Sequence, residues 1–159
     1  MPEFTHLDEN GRVRMVDVTE KKPTVRSATA QGRISMTPET LEKIRDQSVK
    51  KGNVLETARI AGIMGAKQTA SLIPMCHPLH ITHAQVDFFP DTDARSIRIE
   101  ATVRATDQTG VEMEALTSVS IAALTIYDMC KSYDREMVIS EICLVEKTGG
   151  KSGLYRKKP

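Results

Sequence analysis

Asp128 and Lys131 stand three residues apart near the end of a long apolar run, which puts a carboxylate and an ammonium group on one helix face, about a turn from each other. Such a pair can exchange protons at neutral pH if burial or a neighbouring charge moves one member toward that range. From the spacing alone, an ordinary ion pair on a helix surface is the commoner outcome. Cys76-His77 with His80 and His83 is a second candidate. Imidazoles at three-residue steps invite a metal, but Pro78 interrupts any helix that would align them, and on a strand His80 and His83 face opposite ways. A substrate-facing His77 is the better reading, with no metal site.

Gly149-Gly150-Lys151-Ser152 has the look of a phosphate loop's end. The motif needs a glycine five positions before Gly150, where Val145 stands, and too little chain follows Ser152 for the required helix. What survives is looser anion binding by Lys147 and Lys151, or simply a flexible basic terminus. Lys50 and Lys51 fall where a helix C-terminus would favour a cation. Glu112 is accounted for as half of a Thr109-x-x-Glu112 capping pair, whereas Glu114 is left without a structural task.

The element that carries most of this chemistry is a helix expected to open at Thr109 and run to Lys131. Leu116, Val119, Ala123, Ile126 and Cys130 recur at helical steps, and Ala115, Ser118 and Ala122 thin another face for close packing. A strand with an irregularity at Gln31-Gly32 is expected within Val25 to Met36. Thr37-Pro38 opens a helix expected to close at Lys50-Lys51-Gly52, and Asn53 with Glu56 opens another that Pro74 stops. Ala84, Val86 and Phe88 alternate before the Pro90–Asp93 turn. Ile97, Ile99, Ala101, Val103 and Ala105 then alternate with polar residues, so the two runs form an antiparallel hairpin. Val138 to Val145 offers a last strand. The order predicts an α+β fold of ferredoxin-like type, an antiparallel sheet with its helices on one face.

The 159 residues suit one domain, read as a mobile segment 1–12 followed by a single catalytic domain 13–159 with a glycine-rich basic tail. The 22 basic and 21 acidic residues nearly cancel, which gives no general case for nucleic acid or a membrane surface as partner. No apolar run approaches about 18 residues and the first residues lack a secretory pattern, so a cytoplasmic protein is expected. Three scattered cysteines read as reduced thiols.

Met75-Cys76-His77-Pro78-Leu79, the segment from Thr109 to Thr117, Tyr127-Asp128-Met129-Cys130-Lys131 and the segment from Lys147 to Gly153 closely resemble the molybdenum cofactor biosynthesis protein C family, the cyclic pyranopterin monophosphate synthases. Met15-Val16-Asp17-Val18 and the run from Thr57 to Gly62 belong to the same resemblance. It implies a ferredoxin-like subunit in a homohexamer, a trimer of dimers, with active sites between subunits. The implied substrate is a small molecule, 3′,8-cyclo-7,8-dihydroguanosine triphosphate, which is rearranged to cyclic pyranopterin monophosphate with release of pyrophosphate. Asp128 and Lys131 would then be the acid-base centre. Met75, Cys76, His77, Glu112, Met113 and Glu114 would line the substrate pocket, and Lys51, Arg26 and Lys147 would hold phosphate oxygens. No cofactor is called for, with a divalent cation such as Mg2+ left open as companion of the triphosphate. The runner-up is a non-catalytic nucleotide-binding or regulatory domain, since this fold serves many small-ligand sensors.

Overall fold

A computed structural model describes residues 5–159. Strand β1 (Thr24–Ser35) is followed by helices α1 (Pro38–Arg45), α2 (Val54–Lys67) and α3 (Thr69–Leu72), and then by strands β2 (Ile81–Asp91) and β3 (Ser96–Asp107). The long helix α4 (Glu112–Cys130), strand β4 (Val138–Thr148) and the two-residue strand β5 (Tyr155–Arg156) complete the chain. The sheet is antiparallel in the order β2-β3-β1-β4-β5, which is the expected ferredoxin-like arrangement with a short strand added at one edge.

Alternation builds the core. Ala28, Ala30 and Ile34 of β1 and Ile97, Ile99, Ala101, Val103 and Ala105 of β3 are buried on one side of the sheet, beneath α2 and α4. The other side carries Thr29, Gln31, Arg98 and Glu100. The expected irregularity at Gln31-Gly32 is a register shift against β4. Helix α4 packs against the sheet on one side and against its neighbour α2 on another, so Val119 and Ala122 are both fully buried. Its close approach to α2 depends on Gly62, where a Cβ would press on the Ser118 carbonyl at 3.1 Å. Burying a side chain such as Ile126 contributes about 1.5–3 kcal/mol.

Helix α1 starts as expected, with Thr37 as cap and Pro38 in the first turn, but stops at Arg45 instead of continuing to Gly52. Ser48 N–H bonds the Lys43 carbonyl and Gln47 N–H the Ile44 carbonyl, while Gln47 takes φ 54°. That is a Schellman stop with glutamine in the position glycine usually fills. The following turn buries Val49, donates the Lys50 N–H to Tyr133 Oη at 3.2 Å and so carries Lys51 toward the end of α4.

Residues 1–4 of the segment expected to be mobile lie outside the described residues. From Thr5 the chain makes a small hairpin, with a bridge between Leu7 and Val13. The C-terminal tail, for which the sequence leaves both anion binding and a flexible basic terminus open, turns at Gly149–Gly153 and pairs β5 with β4, with Arg156 on Glu146 at 2.6 Å.

Candidate active site

Helix α4 does not begin with a capping pair. Thr109 lies outside it, Val111 stands at the cap without a side-chain bond, and Glu112 binds Lys147 Nζ at 2.9 Å. A charged partner on β4 outcompetes the local amide donors. Glu112 and Lys147 are both about three-quarters buried, and together they separate two adjoining clefts.

The first cleft, about 330 Å³, is lined by Met75, Cys76, His77, Glu112, Met113 and Glu114 from the α3–β2 loop and the first turn of α4. Its remaining wall comes from the N-terminal part of the chain, including His6, Val16, Val18 and Lys21. His77 is held by a 2.7 Å hydrogen bond from Nε2 to the Val16 carbonyl. Glu114 is only 3% exposed, and burial, with Glu112 and Asp107 adding negative charge, pushes its carboxyl up to about 7. Burial and the nearby Glu114 carboxylate also raise Cys76, which keeps its thiol protonated at neutral pH. The cleft therefore holds a carboxyl group able to give or take a proton near pH 7.

The second cleft, about 700 Å³, gathers Lys21, Lys22, Arg26, Lys147 and Lys151 and shares Lys21, Thr109 and Gly110 with the first. Arg26 is oriented by donating to the carbonyls of Asp107 and Gln108 at 3.1 and 3.2 Å. The glycine turn is fitted to it. Gly149 and Gly150 take φ 93° and 74°, and a Cβ at Gly150 would collide with the Arg26 guanidinium. Lys147 also reaches Ser152 Oγ at 2.7 Å, so the tail closes the far wall of the basic cleft. Such a concentration of cations is suited to a polyphosphate.

Asp128, Lys131 and Lys51 meet elsewhere. Lys131 Nζ lies 2.8 Å from Asp128 Oδ1, and Lys51 Nζ lies 3.5 Å from Oδ2 while donating to the Asp128 backbone carbonyl at 2.9 Å. The Lys131 hydrogen bond and charge, followed by Lys51, hold Asp128 below the usual carboxylate range. This cluster is at the opposite end of α4, sixteen residues or about 24 Å from Glu112 along the helix. The expected site residues thus form two groups that do not meet within one chain. Lys21 and Lys22 were not singled out from the sequence; their adjacency was visible, but their convergence with Arg26 and Lys147 depends on strand pairing. The histidines do not converge either: His80 is 98% exposed and, among the described residues, no three potential ligands are placed to hold a metal ion.

A four-stranded β2-β3-β1-β4 sheet backed by α2 and α4, with an acid-bearing cleft beside a basic one, defines a ferredoxin-like α+β protein of the enzyme kind. Residues 15–150 match the MoaC family. The chain belongs to that family. It is 67% identical over 155 residues to the cyclic pyranopterin monophosphate synthase of Desulfatibacillum aliphaticivorans, which covers 98% of each chain. It is 65% identical to the protein of that name from Desulforapulum autotrophicum, over 98% of this chain and 95% of the relative, and 59% identical to that from Parvibaculum lavamentivorans, over 98% and 97%. No helix among the described residues is long and apolar enough to cross a membrane.

Proposed function

We propose that this chain is a lyase of molybdenum cofactor biosynthesis that converts 3′,8-cyclo-7,8-dihydroguanosine triphosphate to cyclic pyranopterin monophosphate and pyrophosphate, and that each active site joins the two clefts of one subunit to the Asp128 cluster of another. The observation that carries the shared site is the separation of about 24 Å along one buried helix, too far for a single substrate to bridge. Ile60, Met64 and Leu124 are 60%, 58% and 54% exposed on α2 and α4, which supplies apolar surface for subunit contact. A homohexamer in the cytoplasm, a trimer of dimers, is the proposed assembly.

In this reading the basic cleft takes the triphosphate on Arg26, Lys147, Lys21 and Lys151, and the ring system enters the first cleft between Met75, Cys76, His77 and Met113. A sugar oxygen attacks the α-phosphorus and pyrophosphate leaves. The cations offset the charge that develops on the leaving group. Lys131 of the neighbouring subunit transfers a proton, Asp128 orients it, and Lys51 reaches the phosphate side. A divalent cation such as Mg2+ would accompany the triphosphate, held chiefly by its phosphate oxygens.

Lys131→Ala is expected to fold, by circular dichroism, yet to release no pyrophosphate from the cyclised substrate. Mixing it with His77→Ala should restore about a quarter of wild-type turnover, since half of randomly mixed dimers carry one intact site of two. A mixture as inactive as its components rules out sites shared in this way.

A further inference from the structure

The segment Met15-Val16-Asp17-Val18 stood out in the sequence, and among the described residues none of its side chains hydrogen-bonds a group lining the substrate clefts, although the Asp17 charge is felt at His77. Its contribution is a backbone carbonyl. Val16 O lies 2.7 Å from His77 Nε2, across 61 positions of chain. A carbonyl only accepts, so the ring nitrogen facing it must carry the proton. In a neutral imidazole the other nitrogen, Nδ1, is then an acceptor, and it has no hydrogen-bond partner among the described residues.

The carbonyl is itself held in place. Asp17 Oδ1 accepts the Thr19 N–H at 2.9 Å and the Thr19 hydroxyl at 2.6 Å, and the Lys21 N–H closes on the Val18 carbonyl at 2.9 Å. These bonds form an aspartate turn directly after the Val16–Asp17 peptide, and the turn also delivers Lys21 to the clefts. The Thr19 hydrogen bonds hold Asp17 below the usual carboxylate range, so the turn persists at neutral pH. Asp17 does not line either cleft, unlike its neighbours Val16 and Val18.

We infer that Asp17 is a positioning residue: through the Val16 carbonyl it locks His77 in the Nε2–H tautomer, so that Nδ1 is the atom His77 offers to the substrate as a hydrogen-bond or proton acceptor. The last clause rests on the proposed reaction; the tautomer does not.

The test uses the full-length protein with 15N-histidine, its four histidines distinguished by the signal lost in His77→Gln. Solid-state 15N spectra in alkaline buffer are expected to show Nε2 protonated and Nδ1 bare. Protonated Nδ1 overturns the inference whatever the enzyme does. Asp17→Ala is expected to mix the two tautomers and lower kcat about tenfold or more with KM changed far less, whereas Asp17→Asn, which can rebuild the same turn, keeps both near wild type. A wild-type spectrum and kcat in Asp17→Ala overturns the positioning role. Absence of turnover in the wild-type protein refutes the proposed reaction instead, and the spectra still decide the tautomer.

Discussion

Replacing Glu114 by glutamine is expected to make the protein more stable, and only above the pH at which the same carboxyl ionises in the unfolded chain, about 4.5. In the folded chain this carboxyl titrates at about 7, against 4.5 for an ordinary glutamate, because burial disfavours its charge. At about 1.4 kcal/mol per tenfold change in proton affinity, the difference is worth about 3 kcal/mol. The sign follows from which state holds the proton more tightly. The folded protein does, so stability is full below pH 4.5, declines as pH rises through the interval to about 7, and stays reduced above it. The amide of the variant carries no proton to lose and is nearly the same shape as the neutral acid. The two proteins should therefore melt together near pH 4.5 and diverge by about 6–12 °C near pH 8, with the variant higher. Differential scanning calorimetry across that range, beside turnover at each pH, gives both curves. Parallel curves with no divergence would refute the claim that this position holds a desolvated acid. Turnover should be lost in the variant at every pH, since a group retained at such a cost to stability is expected to serve the chemistry.

Two further substitutions test other parts of the structure. Lys21→Met should raise KM about tenfold or more through loss of a charge-assisted contact to phosphate, with an effect that shrinks in high salt; an unchanged KM at low ionic strength would remove Lys21 from the triphosphate site. Ser118 Oγ is buried against α2 without a hydrogen-bond partner among the described residues, so Ser118→Ala should raise stability by about 1 kcal/mol in urea unfolding, and a loss of that size would mean the hydroxyl is paired.

Elements whose stability comes from local pattern were legible in the sequence. The alternation from Ile97 to Ala105 reports which face is buried wherever the partner strand lies, and Asn53 caps α2 through the Glu56 N–H at 3.1 Å, as its spacing predicted. Errors arose where a distant residue outcompeted a local rule. Glu112 looked like a capping partner for Thr109, but Lys147 lies 35 positions away in sequence and pairs with it instead. Gln47 accepts the left-handed backbone that glycine was expected to supply at Gly52, and the consequence is a shorter α1 and a turn that carries Lys51 to Asp128. The tail showed its glycines and lysines but not its closure over Arg26, which depends on β4 pairing with both β1 and β5. Residue types were readable; convergence required the sheet.

The same long helix explains both why the fold is stable and why the clefts and the Asp128 cluster stay apart within one chain. Glu112 and Glu114 in the first turn of α4 and Asp128 in its last turn are fixed relative to each other by a rod whose middle, from Ala115 to Ile126, is packed against both the sheet and α2. Bending that rod enough to join its ends would expose Val119, Ala122, Ala123 and Ile126 and leave backbone groups unpaired, at a cost of several kcal/mol. Closure by internal motion is therefore a poor route to a complete site. A neighbouring copy packed against the exposed apolar side chains of α2 and α4 can bring its own Asp128 cluster to the clefts without disturbing either core. Burial thus supplies the rigidity that keeps the acid-bearing cleft and the lysine cluster preorganised, and under the proposed shared site it is assembly, rather than flexibility within the subunit, that would unite them.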